Sequence, residues 1–245
     1  MSPAPLVLLH GWAMRPTVWA PLVRELGTDR EIITLALPGH DGASTAASPT
    51  VRAWSDALLA RMPPRAIVVG WSLGAMLALE LAARHPQRVA SLVLIGATPR
   101  FVAAADWPCA LPAETVSAFV SGYATAPEPT LRRFLALQAV GDSARRRVLS
   151  VLEDSREDGA VWNPALADGL TVLADVDLRA ALGAITQPVQ LIHGDGDTLM
   201  PVDAARAMTG ALSNARLDVI EACGHAPFLS SPGACATLVR RLANA

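Results

Sequence analysis

Apolar residues in this chain fall into short unbroken runs separated by longer amphipathic stretches. Runs at residues 6–10, 32–37, 66–71, 90–96, 189–193 and 217–221 have the length and composition of strands. Strands apolar on both faces belong in a buried parallel sheet. Between the runs lie helical stretches at residues 17–26, 50–61, 73–84, 202–212 and 232–242, with Thr50 placed to cap the second. Strand alternating with helix predicts right-handed βαβ units and a helix-covered sheet. The alternation stops after Pro99. Helical pieces at residues 112–121, 129–140 and 143–154 follow, with no convincing strand. This predicts a helical lid, residues 99–183, inserted into a core built from residues 1–98 and 184–245.

Composition narrows the class. The 245 residues are 52% hydrophobic and 17% charged, enough for a sizeable core. A net charge of -2 and 4% aromatic residues give neither the basic surface nor the stacking platform of a nucleic-acid binder. All 20 basic residues are arginine. Cys109, Cys223 and Cys235 are odd in number and widely spaced, unlike a disulfide framework or a zinc site. No secretory leader pattern opens the sequence, and Gly, Pro or Arg interrupts each long apolar run. A cytoplasmic monomer is expected, with no metal, no cofactor, no nucleic acid and no membrane contact.

Gly70-Trp71-Ser72-Leu73-Gly74 sits between an expected strand and an expected helix. A serine on such a turn is strained, lifted clear of the sheet and backed by a helix N-terminus. A serine hydroxyl needs a base. Of the histidines, His225 in Gly224-His225-Ala226-Pro227-Phe228 lies just past the last strand, where an open α/β sheet assembles its site. His85 precedes a proline at a helix end, His40 lies in a loop, His193 is inside an apolar strand, and His10 ends the first strand. Two carboxylates follow the fifth strand, Asp195 and Asp197. Asp195 could cap its own turn. Asp197, further into the loop, is preferred as the group that orients His225. The oxyanion of a tetrahedral intermediate would take the N–H groups of Leu73 and Trp12.

These residues resemble the α/β-hydrolase superfamily, and more narrowly the pimeloyl-[acyl-carrier protein] methyl ester esterases of biotin synthesis. The likeness rests on the stretch from Leu6 to Trp12, the Ser72 elbow with Trp71, Arg133-Phe134-Leu135-Ala136-Leu137-Gln138, Val176-Asp177-Leu178-Arg179, and His225-Ala226-Pro227-Phe228. It implies the α/β-hydrolase fold with Ser72, Asp197 and His225 as triad. It also implies substrate contacts from Trp12, Ser72, Leu73, Phe134, Leu135, Ala136, Leu137, Gln138 and His225. The family carries an additional segment before its first parallel strand, so a shortened sheet edge is expected here. The implied partner is an acyl carrier protein bearing a pimeloyl methyl ester. Arg132, Arg133, Arg145, Arg146 and Arg147 are the expected docking cations, Arg133 and Arg146 matching the family pattern best. Rival readings are a general short-chain esterase, or a C–C bond hydrolase or lyase of the same fold. A lyase would want an arginine-rich carboxylate site, for which Arg15 and Arg100 are the candidates near core loops. Phe134 and Leu137, three apart on one helix, are expected to line an acyl slot with Trp12 and Trp71.

Overall fold

The computed structural model describes residues 3–157 and 162–244. Among these, the strands β1 (Leu6–Leu9), β2 (Ile32–Leu35), β3 (Ala66–Trp71), β4 (Val89–Ile95), β5 (Val189–Gly194) and β6 (Ala215–Ile220) form one sheet. Its order is β2-β1-β3-β4-β5-β6, and every neighbouring pair is parallel. β1 and β3 are fully buried along their length, as continuous apolar runs require. The edge strands β2 and β6 are only partly covered. No strand precedes β1 among the described residues, so β2 is the edge on that side.

The order in which strands are added across the sheet reverses between β1 and β3. Right-handed crossovers then put α1 (Ala20–Leu26) on one face and α2 (Val51–Leu59) and α3 (Leu73–Arg84) on the other. The packing agrees: α1 meets the C-terminal helix, Pro232–Ala243, while α2 meets α3. The expected helix at residues 17–26 is divided into a 3-10 turn, Pro16–Trp19, followed by α1. Prolines at positions 16 and 21 favour helix starts and supply no amide donor for a continuous helix. Thr50 caps α2 as expected, its Oγ1 accepting the Ala53 N–H at 3.2 Å.

Between β4 and β5 lie α4 (Ala113–Thr125), α5 (Pro127–Gln138), α6 (Arg145–Ser155) and α7 (Pro164–Asp175), then a 3-10 segment, Arg179–Ala184. The sequence reading missed α7. Its first turn is secured by Pro164 and by Asn163, whose Oδ1 accepts the Ala165 N–H at 2.9 Å. The two ends of this insertion meet. Leu178 N donates to the Pro99 carbonyl at 2.9 Å, and Arg100 pairs with Asp177 at 2.7 Å. Arg179 joins both Asp177 and Asp106, each at 2.8 Å. The Val176-Asp177-Leu178-Arg179 motif therefore clasps the base of the insertion. Hydrogen bonds from Arg179 and Arg100 hold the Asp177 carboxyl well below the usual carboxylate range, against a smaller effect of burial.

Candidate active site

Ser72 lies at the C-terminal edge of the sheet, beside the point where strand order reverses. Its φ of 57° and ψ of -121° lie in a region that non-glycine residues rarely occupy. Neighbouring backbone enforces this turn. A Cβ on Gly70 would lie 2.5 Å from the Gly74 carbonyl oxygen, and one on Gly74 would lie 2.1 Å from that of Leu9. Strand and helix thus approach as closely as glycine permits. Ser72 N donates to the Ile95 carbonyl at 3.1 Å, and its own carbonyl accepts the first bonds of α3. Its side chain makes no capping bond and so remains available for chemistry.

Asp197 and His225 come from the loops after β5 and β6. His225 Nδ1 donates to Asp197 Oδ2 at 2.8 Å, with both side chains buried. Asp197 Oδ1 accepts the N–H groups of Leu199 and Met200 at 3.0 and 2.9 Å. Burial alone would raise the Asp197 carboxyl. Attraction to the neighbouring imidazoles of His225 and His193 outweighs it and holds the group well below the usual range. Asp195, the other candidate acid, is exposed and accepts the Cys223 N–H at 3.3 Å. With the His225 proton on Nδ1, the buried Nε2 carries a lone pair and has no hydrogen-bond partner. The ring fits only because residue 96 is glycine at φ 50°: a Cβ there would lie 3.0 Å from Nδ1.

The oxyanion candidates lie on neighbouring turns. Leu73 opens α3, where a backbone N–H has no intrahelical acceptor. Gly74 packs against the carbonyls of Leu9 and His10, which brings the Gly11-Trp12 turn next to this helix end. A buried histidine fixes that turn. His10 Nε2 accepts the Leu37 N–H at 3.0 Å, and its Nδ1 donates to the Gly11 carbonyl at 2.9 Å. Burial and the neighbouring His40 push His10 down to about 3, and burial pushes His40 down to about 4. Both rings are therefore neutral at pH 7. His85 is half-buried at the end of α3, 3.7 Å from Asp56.

The expected slot residues divide into two clusters. Trp12 lies edge-on to Phe134 at 4.9 Å and to Tyr123 at 5.8 Å, and Phe134 lies edge-on to Phe119 at 5.7 Å. Leu135 and Gln138 are buried beside them in α5, while Ala136 and Leu137 are partly exposed. Trp71 does not join this group; its ring packs on Trp19 and Phe228. Its Nε1 donates to the His225 carbonyl at 2.9 Å, so Trp71 braces the segment that carries the candidate base. The lid arginines differ among themselves. Arg132 pairs with Glu128 at 2.7 Å, Arg133 lies over the Phe119 ring at 5.5 Å, and Arg147 donates to the Ser230 carbonyl. Arg145 and Arg146 are exposed in the first turn of α6.

A family model described as alpha/beta hydrolase fold matches residues 4–232. The chain is an alpha/beta hydrolase. This hydrolase is 51% identical to the pimeloyl-[acyl-carrier protein] methyl ester esterase of Aromatoleum aromaticum, over 98% of both chains. It is 42% identical to the protein of the same name from Nitrosomonas europaea, over 93% of this chain and 90% of the relative. The biotin biosynthesis bifunctional protein BioHC of Teredinibacter turnerae is 37% identical over 96% of this chain and 43% of that longer protein. Among solved structures, an esterase from Exiguobacterium antarcticum superposes with a TM-score of 0.85 at 20% identity, over 100% of this hydrolase and 93% of that chain. At that identity the likeness speaks for the fold. No described helix of the hydrolase is long and apolar enough to cross a membrane.

Sequence reasoning overlooked two supports in this site. One is the indole of Trp71. The other is His193, buried, whose Nε2 donates to the Met200 carbonyl and lies 3.3 Å from Asp197 Oδ2. The four-residue spacing of His193 and Asp197 was the available signal, but it carries no meaning in a strand-to-loop segment until the loop's course is known.

Proposed function

We propose that this hydrolase is a serine carboxylesterase that converts pimeloyl-acyl carrier protein methyl ester to pimeloyl-acyl carrier protein and methanol. The observation that carries the chemistry is the buried Asp197–His225 pair with Nε2 unpartnered, tied through Trp71 to the turn that holds the strained Ser72. Ser72 Oγ attacks the ester carbonyl while His225 Nε2 takes its proton, and Leu73 N and Trp12 N hold the oxyanion. His225 returns the proton to the departing methoxy group, then deprotonates the water that hydrolyses the acyl-enzyme. Asp197 keeps the imidazole in the required tautomer without taking the proton. These groups supply the nucleophile and every proton transfer, so the reaction calls for no cofactor.

The names of the relatives support the substrate, together with the aromatic group of Trp12 and Phe134 under α5. The seven-carbon chain would run along Phe134, Leu135, Ala136, Leu137 and Gln138, leaving the carrier outside. The lyase reading is weakened at one of its candidates, since Arg100 is committed to Asp177; Arg15 donates to the Asp154 carbonyl at 2.9 Å and keeps an unpartnered Nε. Incubation with carrier-bound pimeloyl methyl ester, followed by mass spectrometry, should show loss of one methylene mass. Ser72→Ala should cut the rate by about 10⁶ with the fold intact. Turnover of p-nitrophenyl acetate with the carrier-bound ester untouched would replace this reading by a general short-chain esterase.

A further inference from the structure

The turn between α5 and α6 grips the loop that carries His225. His225 N donates to the Gln138 carbonyl at 3.0 Å, and Ser143 N donates to the Ala222 carbonyl at 2.8 Å. Gly224 is pressed against this turn, where a Cβ would lie 2.8 Å from the carbonyl oxygens of both Gln138 and Val140. The side chain in this joint is Asp142, buried to 8% exposure. Its Oδ2 accepts the Gly224 N–H at 3.0 Å, and its Oδ1 accepts the Ala144 N–H at 2.8 Å, at the entry to α6. One carboxylate therefore joins the first turn of a lid helix to the residue preceding His225. The same turn reaches the acid's loop: Gly141, at φ 76°, packs so tightly on Gly196 that a Cβ would lie 2.5 Å from the Gly196 carbonyl oxygen.

We propose that Asp142 is a positioning residue, setting the place of His225 through the Gly224 N–H, so that the lid forms part of the framework of the triad. The proposal rests on the reading of His225 as the base. The other two hydrogen bonds of the joint run between backbone groups and persist whatever side chain stands at 142. Removing the carboxylate should thus free Gly224 to shift without unfolding the joint. A shift of a reacting group by about 1 Å can cost on the order of 10²-fold in rate. Such a loss falls on kcat, because Asp142 lies behind the base and does not border the acyl slot.

The test is Asp142→Ala with p-nitrophenyl acetate, a substrate too small to need the lid's slot. Rates are taken per active site titrated with a fluorophosphonate, well below the melting temperature of each variant. The expected result is a kcat reduced about tenfold or more with KM within about twofold of wild type. Asp142→Asn keeps the size, but its single amide oxygen can face only one of the two N–H groups, so an intermediate kcat is expected. It decides the matter alone if the alanine variant does not fold. A lowered melting temperature with kcat intact, or a change confined to KM, overturns the proposal. Ser72→Ala measured alongside separates the two failures. Residual turnover there overturns the triad itself, whereas an inactive Ser72→Ala beside an unimpaired Asp142→Ala overturns only the positioning role.

Discussion

The imidazole of His225 is constrained at its Nδ1 by Asp197 and at its carbonyl by Trp71, while its own N–H is tied to Gln138. Only Nε2 is left uncommitted, and this is the atom a serine proton must reach. A different histidine pair has a consequence for stability. His10 and His40 lie 5.4 Å apart, fully buried and neutral, with values near 3 and 4 in the fold against 6.5 for an exposed imidazole. As pH falls below 6.5 the unfolded chain takes up protons that the folded chain excludes. Stability is therefore full above pH 6.5 and declines towards pH 4, by up to about 1.4 kcal/mol per pH unit for each ring. His40→Asn keeps a donor for the Pro38 carbonyl, which His40 Nδ1 reaches at 3.0 Å, and removes one of these titrations. Urea unfolding between pH 6.5 and 5 should show a decline smaller by roughly 1–2 kcal/mol than in wild type. Equal slopes would mean that His40 is not held neutral by burial.

At the scale of elements, α5 supplies the face that meets Trp12. Phe134→Ala should raise KM for a seven-carbon methyl ester more than for an acetate ester, measured at a temperature where the variant is folded. Equal effects on both esters would assign Phe134 to packing alone, since losing a buried phenylalanine also costs about 3–5 kcal/mol of stability. The elements were unequally legible in the sequence. β3 and α3 were read to the residue, because a fully apolar run, a glycine-framed serine and a terminal His85-Pro86 mark every boundary. α7 was not, and the reason lies in Gly169. A glycine inside a helix argues against the helix by propensity, yet a Cβ at that position would lie 2.6 Å from the Trp12 ring. Tertiary contact with Trp12, whose Nε1 also donates to the Leu166 carbonyl at 2.7 Å, outweighs the local preference. Trp71 was misplaced for a related reason. Spacing put it near Ser72, but only the folded chain shows that its ring points towards Trp19 and Phe228. The candidate serine, acid and base could be picked out because their positions after strands follow from chain order, which needs no knowledge of packing.

At the scale of the molecule, neither the chain, with its net charge of -2, nor the lid, in which Asp and Glu outnumber Arg, is basic, but arginines cluster locally where α5 runs into α6. Arg133 on α5 and Arg145 and Arg146 on α6 are exposed, and the α6 arginines oppose the helix dipole at about 0.3–1 kcal/mol each. We propose that this face receives the acidic carrier. Arg133→Glu with Arg146→Glu should slow hydrolysis of the carrier-bound ester severalfold at low ionic strength, with the small free ester unchanged. Steering of this kind acts on association and fades with salt. Equal slowing of both substrates, or indifference to salt, would return the arginines to ordinary lid surface. The sheet order has its own consequence for how the chain is put together. β1 to β4 are neighbours drawn from the first hundred residues, but Leu92 of β4 must find Val189 of β5 across the whole helical insertion. Closing so long a loop costs entropy before any contact repays it, and contacts of such wide sequence separation slow folding. Asp197 and His225 both lie beyond that closure. An incompletely folded chain can thus present Ser72 on a formed strand-to-helix turn while lacking the proposed base, so on that reading esterase activity belongs to the finished fold and not to its N-terminal half.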